Sequence, residues 1–88
     1  MWRIQYAHSV VREDIPRLDH PTKQRIKKTI ETKLVAVPVR FGKPLRHSLN
    51  HLRTLRVGGY RVLYHLDHEA RIVSVAAIGH RRAINDES

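Results

Sequence analysis

Gly58-Gly59 separates two alternating runs rich in Val, Leu and Tyr, at 52–57 and 60–66. Period-two alternation on both sides of a two-residue glycine break reads as a β-hairpin. A tight primed turn needs φ > 0, which glycine enters without strain. No other feature constrains the chain as much, because the turn fixes the face of every side chain on both strands. It sets Val57 opposite Tyr60 and Arg56 directly opposite Arg61. Like charges facing each other across a ladder destabilise it. Folding gains nothing from that pair, so its expected use is to hold a polyanion.

The hairpin extends on both sides. Residues 71–80, "RIVSVAAIGH", are apolar on both faces, as expected of a central, covered strand, and "DHEA" joins them to 60–66. Residues 2–7 alternate and read as a first strand rather than a secretion signal. Ser9 is a plausible cap for a short helix with Val11, Ile15 and Leu18 on one face, shortened or kinked by Pro16. A second helix is expected from Pro21 to Leu34, with Ile26, Ile30 and Leu34 forming a narrow apolar stripe and Lys23, Arg25, Lys27, Lys28 and Lys33 opposite. Pro38 ends it, and "FGKPLRH" is a loop. The expected fold is α+β: one domain, 1–88, in the order β-α-α-β-β-β. It has a mostly antiparallel four-stranded sheet, two helices on one face and the other face open.

Charge says what the open face suits. The chain carries 17 Lys+Arg against 8 Asp+Glu, a net +9. From Lys33 to Leu66 there is no acidic residue, while Arg40, Lys43, Arg46, Arg53, Arg56 and Arg61 all fall there. A field of this kind favours nucleic acid or another acidic partner. There is no cysteine, which excludes a disulfide framework and a thiolate zinc site and points to an intracellular protein. No stretch approaches a membrane span. His47 and His51 are four apart, a spacing that suits a metal pair on a helix. With no third ligand evident, no metal and no cofactor are expected.

Strict alternation puts Tyr60, Val62, Tyr64 and Leu66 under the helices and Arg61, Leu63 and His65 on the open face. If "DHEA" closes a tight turn, Leu66 pairs with Arg71. Ile72, Ser74, Ala76, Ile78 and His80 then join the Arg61 face. Arg56, Arg61 and His80 are thus expected on one concave surface, with Arg81 on the other face unless Gly79 hosts a bulge that re-aims it.

The stretch 42–82, above all "LRVGGYRVLY" and "AIGHRR", resembles the RelE/ParE superfamily of toxins from type II toxin–antitoxin systems. The element order matches as well. RelE-like members are ribosome-dependent mRNA interferases; ParE-like members poison DNA gyrase. For a RelE-like endoribonuclease the resemblance implies metal-independent attack of the ribose 2′-OH on the neighbouring phosphate, with the protein supplying position, charge and proton transfer. It assigns Arg61 to the scissile phosphate and Arg81 to phosphate or leaving-group chemistry. His80 sits where some relatives carry an acid/base histidine, and its unperturbed pKa suits that task. Arg56, Arg53, Lys43, Arg46 and Arg82 are the expected RNA- or phosphate-binding set. The chain departs from RelE in having Leu52 and Thr54 where RelE has lysines, and in ending "AINDES" without a tyrosine.

Three functions follow. The first is a toxin that blocks translation by cutting mRNA on the ribosome, with the helix lysines resting on ribosomal RNA. The second is a non-catalytic DNA gyrase inhibitor. The third is a decayed toxin that keeps only antitoxin binding. In each, the resemblance implies a cognate acidic antitoxin, no membrane partner and a cytoplasmic location in a bacterium or archaeon.

Overall fold

The computed structural model describes residues 1–44 and 51–80. Five strands form one sheet: β1 (Arg3–Tyr6), β2 (Lys43–Pro44), β3 (Arg53–Val57), β4 (Tyr60–Asp67) and β5 (Ile72–His80). Their spatial order is β1-β5-β4-β3-β2. β1 runs parallel to β5, and every other pairing is antiparallel. The sheet therefore has one strand more than expected, because two residues of the "FGKPLRH" loop pair with β3. β5 is an interior strand between β1 and β4, in keeping with its apolar character on both faces.

β1 and β2 lie at opposite edges, so the chain between them must cross one whole face of the sheet. The crossing begins as a π-helical segment, Val10–Asp14, that runs into a 3₁₀ turn, Ile15–Arg17. Pro16 offers no N–H, so an α-helical ladder cannot be carried through it. Val10 is fully buried and Val11 is exposed, so the buried face uses Val10 with Leu18 rather than Val11. Helix α1 (His20–Thr29) follows and continues as a π-turn, Ile30–Leu34. Asp19 caps α1 by accepting from Thr22 N at 2.9 Å, and the Thr22 hydroxyl together with that N–H holds its carboxyl below the usual range.

Ile26, Ile30 and Leu34 are buried as their spacing requires. They close on Leu55, Val57, Val62, Tyr64, Val73, Val75 and Ile78 from the sheet. Full burial of each such side chain contributes about 1.5–3 kcal/mol. β1 ends at Tyr6, opposite Val75, and Ala7 N still donates to Val75 O at 2.9 Å. Beyond that point Asp14 takes over: its Oδ2 accepts from Ile78 N at 2.9 Å. A carboxylate thus continues the ladder where the edge strand stops.

One irregularity decides the faces. Leu63 pairs with Ala77 but Tyr64 pairs with Val75, so Ala76 is an extra residue in β5. Each residue beyond the bulge changes face relative to strict alternation. Ile72 and Ser74 share the Arg61 face as expected, but Ile78 and His80 do not. The bulge lies at Ala76 rather than Gly79. The turn before it also differs, with Leu66 opposite Val73 instead of Arg71.

Candidate nucleic-acid interface

Arg56 and Arg61 face each other across β3 and β4, with Val57 opposite Tyr60. Gly58 takes φ 61° and Gly59 is not in the left-handed region, which is the II′ form of a two-residue turn. The same face carries Thr54, opposite Leu63, and Lys43, opposite Thr54. Arg40, Lys43, Arg56 and Arg61 line a cleft of about 500 Å³, and among the described residues no carboxylate lies in its wall. Thr54 sits in its floor, 8% exposed, and its hydroxyl has no hydrogen-bond partner. Four cations around a concave surface repel one another in the absence of a ligand. The same arrangement holds phosphate oxygens well, since charge-assisted hydrogen bonds are the strong ones.

Arg40 is a cleft residue that sequence reasoning counted as charge and did not place. Its signal is the string "RFGKP" inside the acid-free stretch, but a loop has no periodicity from which a face can be read. The loop is held from behind. Arg53 lies opposite Tyr64, on the helix-side face. Its Nη2 donates to Val39 O at 3.0 Å and to Gly42 O at 3.2 Å. Tyr64 is fully buried, and its hydroxyl donates to Phe41 O at 2.7 Å, with Pro38 O at 3.3 Å. Burial raises the Tyr64 pKa above its ordinary value near 10, and the neighbouring Arg53 opposes that rise in part. Lys33 reaches over the Phe41 ring, 5.4 Å from its centre. Arg53, expected among the phosphate ligands, therefore faces away from the cleft and binds loop carbonyls.

His80 is also corrected. It pairs with Tyr60, and their rings meet edge-to-face at 5.4 Å. A second depression, formed with Asp14, Arg17 and Leu18, surrounds it on the helix side. The cause is the bulge at Ala76, and the expected grouping of His80 with Arg56 and Arg61 does not form. Arg46, His47, Arg81 and Arg82 lie outside the described residues. On α1, Arg25 is exposed and its guanidinium lies against the Gly58 turn, 2.9 Å from where a β-carbon would stand.

A five-stranded α+β domain with this topology is shared with toxins solved in toxin–antitoxin complexes. The chain belongs to the RelE/ParE toxin superfamily: residues 7–84 match the family described as the ParE toxin of the type II toxin–antitoxin system parDE. The fold is shared with the toxin–antitoxin complex RelBE2 of Mycobacterium tuberculosis, at a TM-score of 0.83 and 29% identity over 91% of this chain and 98% of that one. The intact RelBE complex of E. coli matches at a TM-score of 0.72 and 21% identity, over 91% and 96%. A 47-residue stretch is 43% identical to Toxin RelG of Mycobacterium tuberculosis, covering 53% of this chain and 54% of that protein. That likeness spans about half the length of the relative.

Proposed function

We propose that this toxin is an mRNA endoribonuclease acting on the ribosome, with Arg61 and Arg56 gripping the RNA backbone at the scissile phosphate. The observation that carries the reading is the Arg56–Arg61 cross-strand pair inside a cleft that also holds Arg40 and Lys43. The attacking group, a ribose 2′-OH, is part of the substrate. The protein must hold the phosphate in line and neutralise charge as the pentacoordinate state develops. Arg81 is carried into this reading by its place in "GHRR", as an assistant at the phosphate or leaving group. The acid/base task expected of His80 is not carried over, because its side chain shares the face of Tyr60. Relatives of this fold are solved in complex with their antitoxins. An acidic antitoxin that covers the cleft is the matching partner here, through charge complementarity.

The test is cleavage of mRNA on programmed ribosomes, read by primer extension. Wild type is expected to cut, and Arg61→Ala to fall by about 10²-fold or more, the scale of removing one transition-state donor. Intact mRNA under conditions in which a RelE-type toxin cuts would overturn this reading. A second reading is favoured by Leu52 and Thr54 standing where RelE has lysines and by the position of His80. On it, the cleft is a binding surface for DNA gyrase and catalyses nothing. Loss of gyrase supercoiling on adding the protein, with mRNA uncut, would establish it.

A further inference from the structure

We propose that Tyr64 and Arg53 form a latch that, from the opposite face of the sheet, sets where Arg40 and Lys43 stand in the cationic cleft. They are positioning residues: neither reaches the ligand, and both act through the backbone of one loop. The inference rests on the reading of the cleft as a phosphate site.

Two adjacent side chains, paired across β3 and β4, hold four carbonyls of a single five-residue segment: Pro38, Val39, Phe41 and Gly42. Arg40 lies within that segment and Lys43 directly follows it. The buried Pro38 ring and Phe41, packed against the core, hold its apolar side, while the backbone pairing beyond it is short. Its strand, β2, is two residues long, and one of them is Pro44, which has no N–H to donate. The approach is also close, since a β-carbon on Gly42 would collide with the Tyr64 hydroxyl. Because Tyr64 is fully buried, its hydroxyl must find an acceptor, and both acceptors it uses are loop carbonyls. The latch is thus built from groups whose satisfaction requires the loop to be in place.

The test uses charge-conserving variants, Tyr64→Phe and Arg53→Lys, in the full-length protein. Neither changes the number of cations, so a change in electrostatic binding must come from residues they reposition. The probe is a short oligouridine, with affinity followed by fluorescence anisotropy across a salt series. Each phosphate contact on a single strand contributes about −0.7 to the slope of log K against log[salt]. Loss of Arg40 and Lys43 from the site makes each variant's slope shallower than that of wild type by about 1.4. The double variant Arg40→Ala/Lys43→Ala is expected to show the same reduced slope, and adding Tyr64→Phe to it changes nothing further. If Tyr64→Phe fails to fold, Arg53→Lys decides. A wild-type slope retained by the folded latch variants overturns the latch and leaves the cleft standing, as does an equal further loss in the double-variant background. A wild type with no salt-dependent binding overturns the phosphate reading, and the latch with it.

Discussion

At position 42 the loop passes so near Tyr64 that no side chain fits between them. Gly42 has φ 79°, and a β-carbon there would meet the Tyr64 hydroxyl and, at 2.9 Å, the Thr54 carbonyl. Gly58 has φ 61° as well, but its β-carbon would meet only the far end of Arg25, which can swing aside. Gly58→Ala should therefore cost about 1 kcal/mol, the left-handed penalty alone. Gly42→Ala should cost at least about 2 kcal/mol, a fall of roughly 10 °C in the melting temperature of a domain this size. Thermal melts by circular dichroism separate the two. Tyr64 makes a prediction about pH. Its folded pKa is raised by burial. Its contribution is fully present below the unfolded value of about 10 and is lost as pH rises from there through the folded value. Urea midpoints should fall on going from about pH 9 to about pH 11, and less steeply in Tyr64→Phe. The Arg56–Arg61 opposition is legible in the sequence because a two-residue turn leaves one register. The face of Arg53 follows from the same register, in the fifth pair from the turn. What the register does not reveal is that carbonyls, not phosphates, await that arginine.

Elements are legible where a period repeats. The stripe Ile26–Ile30–Leu34 and the alternation of β4 find their burial as patterned. β5 breaks the pattern without a residue that announces it. Its bulge falls on an alanine, in a run apolar on both faces, where either register buries an acceptable set of side chains. One extra residue at Ala76 is enough to move His80 from the arginine face to the helix face. The strand needs Asp14 at this point, because β1 has ended and the Ile78 N–H still requires an acceptor. Asp14→Ala leaves that group unsatisfied in a half-buried setting and should destabilise by about 1–2 kcal/mol. In native-state hydrogen exchange the Ile78 amide should lose protection before those of Val73 and Val75. Uniform loss across β5 would instead mean that Asp14 acts on the fold as a whole.

On the scale of the molecule, the helices cover one side of the sheet and the cleft cations Arg40, Lys43, Arg56 and Arg61 gather on the other. That division is legible from composition and order: two helical segments between the first strand and the rest, and an acid-free stretch across the strands. The gathering of Arg40 and Lys43 is not legible, since it depends on a loop whose path is set by contacts distant in sequence. The strand order has a consequence for the timing of assembly. Among the described residues β1 has a single strand partner, β5, and their register joins Arg3–Tyr6 to residues 72–75. The hairpins β3–β4 and β4–β5 close over short separations and can form early, whereas this parallel pairing spans nearly the whole chain. On a translating ribosome the amino-terminal strand must wait, unpaired, for the last one to be made. The core beneath it is sealed only when β1 meets β5.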